Sequence, residues 1–135
     1  MMEIKGGCLC GAVRYTAQAD LAPATICHCR DCQKFTGSAF ATLVAVPKTA
    51  LAIEGKLKTF SSLGGSGNPI LRHFCPECGS SLMEEPGTRA EIIVLNVGTF
   101  DDVASVMPGR EIFRDDALPW VRVDGDIPRS GKRPG

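Results

Sequence analysis

The sequence predicts a mostly β fold, and three observations carry that prediction. Short apolar runs show strand periodicity and are bounded by glycine and proline. No long helical stripe interrupts them. Seven cysteines fall into three tight groups: Cys8-Leu9-Cys10, Cys27-His28-Cys29-Arg30-Asp31-Cys32, and Cys75-Pro76-Glu77-Cys78. Such groups tie short strands together when they share a metal ion.

The elements follow in order. Gly6-Gly7-Cys8-Leu9-Cys10-Gly11 reads as a glycine-framed knuckle. Residues i and i+2 of an extended strand lie ~6.5–7 Å apart, too far for two sulfurs on one tetrahedral ion, so the backbone must curl there. Residues 12–18 alternate, with Val13 and Tyr15 on one side and Arg14 and Thr16 on the other, as a strand does. Ala24-Thr25-Ile26 is a short β-prone approach to the second cysteine group. Residues 31–35 form one helical turn ending near Gly37. The apolar run from Ser38 to Val46, closed by Pro47, is a buried strand. Residues 51–55 and 57–61 suggest a hairpin, and 63–69 a flexible loop. Ile70 to Phe74 leads into the last cysteine pair. Residues 81–85 and 91–97 are further strands, with Ile92-Ile93-Val94-Leu95 at the centre of the core. Residues 110–113 and 120–123 are expected as edge or closing strands, with Trp120 filling the core.

Seven cysteines divide naturally into four and three. Four thiolates close a tetrahedral structural zinc site, and three leave a position open for water or substrate. A disulfide framework is the main rival, but an odd number leaves a thiol over. The opening Met-Met-Glu-Ile-Lys-Gly-Gly also holds no apolar run suited to a signal peptide. A cytoplasmic location is expected. A redox pair at Cys75 and Cys78 would normally open a helix, whereas Gly79-Ser80-Ser81 reads as a turn. Inert buried cysteines need not cluster. Zinc, two ions per chain, is therefore the expectation. Spacing alone leaves the grouping open, since Cys8 and Cys10 with Cys27 and Cys29 would also make four.

The chain has 135 residues, which suits one zinc-binding domain, with a core over residues 3–123 and a flexible tail over 124–135. Hydrophobic residues make up 44%, enough for a core. No run of about eighteen apolar residues is present to span a membrane. The formal net charge is zero, and seven ionised thiols outweigh two Zn²⁺. This is not the basic footprint of a nucleic-acid binder. The one basic cluster, Arg129, Lys132 and Arg133, sits in a Gly/Pro-rich tail and reads as a frayed, solvated end.

Taken together and in order, the motifs Gly-Gly-Cys8-Leu-Cys10-Gly, Cys27-His28-Cys29-Arg-Asp-Cys32 and Phe74-Cys75-Pro-Glu-Cys78-Gly79 resemble the family of glutathione-dependent formaldehyde-activating enzymes, which includes centromere protein V. The resemblance spans about residues 3–123. It implies a β-tent fold of small antiparallel sheets built around zinc sites. It also implies the pairing: Cys8, Cys10, Cys75 and Cys78 hold a structural zinc, and Cys27, Cys29 and Cys32 a catalytic one. The implied partners are a small-molecule thiol such as glutathione and an aldehyde, and the implied activity is that of a carbon–sulfur lyase resembling S-(hydroxymethyl)glutathione synthase. A thiolate-rich zinc suits a thiol as its fourth ligand. A non-catalytic, zinc-stabilised binding module is the alternative, because fold does not determine function.

Around the three-cysteine group, His28 is a candidate proton shuttle. The plainer reading turns its side chain away from the metal and bonds it to backbone. Arg30 and Lys34 are candidate contacts for the carboxylates of the thiol substrate, or else solvated charges. Gly37, Ser38 and Phe40 are a candidate pocket wall, and His73 is expected to be structural.

Overall fold

The computed structural model describes residues 2–65 and 67–133. Among them are ten strands and one α-helix: β1 (Met2–Gly7), β2 (Arg14–Ala19), β3 (Ala24–Cys27), α1 (Arg30–Thr36), β4 (Ala41–Pro47), β5 (Leu51–Glu54), β6 (Lys58–Leu63), β7 (Pro69–Phe74), β8 (Ser81–Glu85), β9 (Ile92–Asn96) and β10 (Pro108–Ile112). The mostly β expectation holds. The strands form a three-stranded sheet, ordered β1-β2-β5, and a seven-stranded sheet, ordered β10-β3-β4-β9-β8-β7-β6. All pairings are antiparallel except β10 with β3. No helix among the described residues is long and apolar enough to cross a membrane.

The main core gathers inward-facing residues of both sheets. Ile4, Tyr15 and Ala17 come from the smaller sheet, and Val44, Val46, Leu82, Met83, Ile93 and Leu95 from the larger. The alternation read over residues 12–18 is thus a real strand face. A smaller cluster of Cys27, Cys32, Ala41 and Leu43 packs with Ile112 and Phe113, beside the middle cysteine group.

Strand β1 escapes the sequence pattern. Of its six residues, only Ile4 is a clear apolar inward position, and two are glycines. Pairing supplies what patterning lacks, because Met2 to Gly7 run in register against Ala19 to Arg14. Gly6 explains the small residue. A Cβ there would sit 2.4 Å from both Thr99 O and Tyr15 Oη, and that hydroxyl is hydrogen-bonded to Thr99 Oγ1 at 2.7 Å. Gly6→Ala is therefore expected to destabilise by about 1–3 kcal/mol, read as a lower urea midpoint at unchanged slope.

The hairpin expected between residues 51–55 and 57–61 does not form. Strand β5 joins β2 in the small sheet, and β6 joins β7 in the large one. Leu57 packs against the main core and carries the chain from one sheet to the other. The hairpin lies one strand later: Leu63 faces Pro69, and Gly64 N donates to Asn68 O at 2.9 Å. The expected closing strand at 120–123 is also absent. Pro119 lacks the N–H that a ladder needs. Val121 takes the buried place while Trp120 is 72% exposed, so Trp120 does not fill the core.

Residues 128–132 of the expected frayed tail are instead fastened to β10, and residues 134 and 135 lie outside the described residues. Glu111 N donates to Pro128 O, Ser130 N to Glu111 O, and Phe113 N to Lys132 O, at 2.9–3.0 Å. Unsatisfied backbone groups on that strand edge give the tail a place to bind.

Candidate metal centres and the adjoining cavity

Two knuckles build the four-cysteine cluster. Gly11 and Gly79, each just after the second cysteine of its pair, have φ of +83° and +77°. A left-handed residue reverses the chain so that both sulfurs can face one point. The two turns are alike in their bonding. Cys8 N donates to Val13 O and Cys75 N to Ser80 O, both at 3.0 Å, while Gly11 N and Gly79 N bond back to Cys8 O and Cys75 O. The knuckles also touch, since Leu9 N donates to Ser80 Oγ at 3.0 Å.

The sulfurs of Cys8, Cys10, Cys75 and Cys78 all lie within 4.8 Å of one another, and so do those of Cys27, Cys29 and Cys32. Cys8 and Cys10 are 3.6 Å apart, Cys10 and Cys75 3.8 Å, Cys27 and Cys29 3.4 Å. Four sulfurs at the usual Zn–S length of ~2.3 Å stand ~3.8 Å apart in a tetrahedron, so both clusters fit such an ion. Backbone N–H groups point at the sulfurs as well: Val13 at Cys8 (3.2 Å), Cys32 at Cys29 (3.3 Å) and Glu77 at Cys75 (3.4 Å). These donors favour thiolate over thiol. All seven cysteines are free.

The three-cysteine cluster sits where β3 runs into α1. Cys29 caps the helix, Cys32 lies within it, and Gly37 ends it. Side-chain hydrogen bonds from Cys27 and Cys32 hold Cys29 well below the usual thiol range. The hydrogen bond with Cys29 pushes Cys27 up to about 12, and those with Cys27 and then Cys29 push Cys32 up as well. The cluster opens on a cavity of about 490 Å³ whose wall includes Leu43, Ile70, Ile112 and Phe113. Charged residues of both signs line it too, namely Arg30, Asp31, Arg72, Glu84, Asp116 and Arg133.

Arg30 is therefore in that wall, although its guanidinium donates to Gln33 Oε1. Lys34 is not: it lines a neighbouring cavity of about 560 Å³ together with Gly37, Ser38, Phe40 and Cys78. The expected wall of Gly37, Ser38 and Phe40 belongs to that second space. The short helix turns Arg30 and Lys34, four residues apart, toward different cavities.

His28 is also placed apart. It is 0% exposed and is not part of the cavity wall, a position unsuited to shuttling protons there. Its side chain turns from the cluster, as the plainer reading expects, but its partner is a carboxylate rather than backbone. Its Nε2 donates to Glu111 Oε1 at 2.6 Å. Arg129 Nε donates to the other oxygen of Glu111, and Arg114 Nη1 stands 3.7 Å from Oε1. Burial raises the Glu111 carboxyl, but the hydrogen bonds from His28 and Arg129 and the charge of Arg114 outweigh it and hold the carboxyl below its ordinary range. His73 has both ring nitrogens bonded, Nδ1 to Thr59 Oγ1 at 2.8 Å and Nε2 to Glu85 Oε2 at 2.6 Å.

Sequence reasoning missed Arg72 and Glu84. Arg72 lies in the strand Ile70 to Phe74, where a charge reads as solvent-facing. Only the register of β7 on β8, Arg72 opposite Glu84, puts both in the cavity. Burial pushes the Glu84 carboxyl up, and Arg72 offsets part of that rise.

A mostly β protein with one four-thiol cluster and one three-thiol cluster facing a cavity is the class that these features define. Comparison with known proteins narrows it. The profile of the glutathione-dependent formaldehyde-activating enzyme family matches residues 3–116. A protein of Halomonas elongata named "Putative glutathione-dependent formaldehyde-activating enzyme" is 31% identical over 129 residues, which is 91% of this chain and 82% of that protein. A Rhodobacter sphaeroides protein of known crystal structure shares the fold, with a TM-score of 0.62 at 23% identity over 93% of this chain and 99% of its own. The chain belongs to the glutathione-dependent formaldehyde-activating enzyme family.

Proposed function

We propose that the protein is a zinc-dependent enzyme of carbon–sulfur lyase type, acting on the adduct of a small thiol with an aldehyde. Glutathione and formaldehyde are the first candidates, following the family. One observation carries the reading. The cluster with three donors faces a cavity, whereas the other cluster has four donors and needs no further ligand. Cys8, Cys10, Cys75 and Cys78 would hold a structural ion, and Cys27, Cys29 and Cys32 the functional one. Bound to three thiolates, zinc supplies an open, thiol-accepting coordination position and favours the deprotonated form of what binds there.

The chain's own residues supply the rest. The backbone N–H of Cys32 steadies the Cys29 sulfur, and Gln33 Nε2 clamps the loop by donating to His28 O at 2.7 Å and Asp116 O at 3.1 Å. Leu43, Ile70 and Ile112 give the cavity an apolar wall that thins the water around a reacting thiol. The mixed charges of that wall suit a zwitterionic peptide thiol with its own carboxylates and ammonium. In the addition, the thiol sulfur forms a bond to the carbonyl carbon, the C=O π pair moves to oxygen, and a proton completes the hydroxyl. The reverse path breaks the same carbon–sulfur bond.

Cobalt-substituted protein tests this. Glutathione is expected to change the absorption of the three-cysteine site and leave that of the four-cysteine site unchanged. A chelator is expected to empty the three-cysteine site first. Exchange spectroscopy on glutathione–formaldehyde mixtures should then show faster interconversion with the parent than with Cys32→Ser. Identical rates for the two, with no spectral response to glutathione, would replace the enzyme by the binding-module alternative.

A further inference from the structure

We propose that Arg72 is a catalytic residue that holds the carbonyl-derived oxygen of the substrate, and that Glu84 positions it. The proposal rests on the thiol–aldehyde reading above. Arg72 is 5% exposed. A guanidinium that deep must be paired or serve a ligand. Its neighbours balance its charge without satisfying all of its donors. Nη1 donates to Ser62 Oγ at 2.9 Å, and the guanidinium lies 5.9 Å from the centre of the Phe35 ring. Glu84 Oε2 stands 3.6 Å from Nε, beyond hydrogen-bond reach. Nε, fully buried, has no hydrogen-bond partner among the described residues.

The place matters as much as the vacancy. Arg72 and Glu84 are directly opposed on β7 and β8 and line the same cavity as Cys27, Cys29 and Cys32. The wall's other arginines are less suited. Arg30 and Arg133 are exposed, so water screens their charge. A fixed cation in a dry site stabilises developing negative charge far more strongly. The addition produces that charge on one atom. As the sulfur pair forms the C–S bond, the C=O π pair collects on oxygen. Arg72 stabilises the oxygen until a proton from water completes the hydroxyl. No oxidant or reductant is needed, and the reverse reaction uses the same contact.

The test is a kinetic separation on metal-loaded protein, with glutathione as the thiol and formaldehyde as the aldehyde. Arg72→Lys keeps the charge and the Glu84 pairing but loses the planar donor array, and a melting curve close to the parent's checks that it folds. It is expected to bind glutathione within twofold of the parent, by titration of the cobalt-loaded form, while the exchange rate at saturation falls about 100-fold. Glu84→Gln is expected to lower the same rate less and to leave glutathione binding unchanged. An exchange rate in Arg72→Lys equal to the parent's overturns the proposal. So does weakened glutathione binding at an unchanged saturated rate, which would make Arg72 an anchor for a substrate carboxylate. A parent that neither responds to glutathione nor accelerates exchange overturns the thiol reading itself, and the proposal with it.

Discussion

Cys75→Ser is expected to lose most of its soluble yield, and what remains should melt far below the parent. Cys75 is 0% exposed and joins β7 to a knuckle sixty-five positions earlier through Cys10, 3.8 Å away. Binding of a structural zinc contributes roughly 10–16 kcal/mol in small zinc domains, and there it is folding free energy. A whole domain is stable by only about 5–15 kcal/mol. Losing one ligand of four forfeits enough of the first figure to consume much of the second. Cys32→Ser is the contrast. Its cluster lies beside a cavity and spans only six residues of chain, Cys27 to Cys32, so it closes no long loop. That variant is expected to melt within a few degrees of the parent and keep one zinc per chain. Thermal melting and metal quantification on reduced protein check both. Equal losses in the two variants would mean that the roles of the clusters are divided wrongly.

The cysteines were legible because metal ligation imposes spacing. Two sulfurs on one ion require a curled backbone, and the glycines beside them announce it, as Gly11 and Gly79 do. The strands with a buried face were legible for a similar reason, since Val13 and Tyr15 or Ile92 to Leu95 repeat with the pleat. What escaped depends on partners distant in sequence. Strand β1 has one apolar inward residue and exists through its register on β2. Strands β5 and β6 look like a hairpin locally, yet each finds a better-buried partner elsewhere. Arg72, Glu84 and Glu111 are charges on strands, and charge on a strand ordinarily means solvent. Nothing in the spacing tells that Arg72 faces a cavity or that Glu111 has cations waiting on the tail.

Glu111 carries the second large effect. It is 1% exposed, and its two oxygens meet His28 and Arg129, with Arg114 close by. The pairing ties three parts of the chain together: the middle cysteine loop, β10, and the tail beyond it. Glu111→Ala removes the carboxylate and leaves buried His28 without its partner, while Arg114 and the exposed Arg129 can turn to water; breaking a wholly buried pair costs about 3–5 kcal/mol, and the loss here is expected at or below the low end of that range. Glu111→Gln keeps the shape and part of the hydrogen bonding, and is expected to cost less, about 1–2 kcal/mol. Urea denaturation at neutral pH measures both. The pH dependence has a definite sign. Because the folded carboxyl titrates below its ordinary range, the charge contributes its full stabilisation above the unfolded value of about 4.3. That contribution disappears as pH falls through the folded value. The contribution of the Glu111 charge to the stability gap between parent and Glu111→Gln is therefore expected to shrink below about pH 4. Thiolate protonation and metal loss in acid affect parent and variant alike, so they cancel in the difference. A gap that widens in acid would show that Glu111 is held protonated in the folded protein, and that its cationic partners do not govern it.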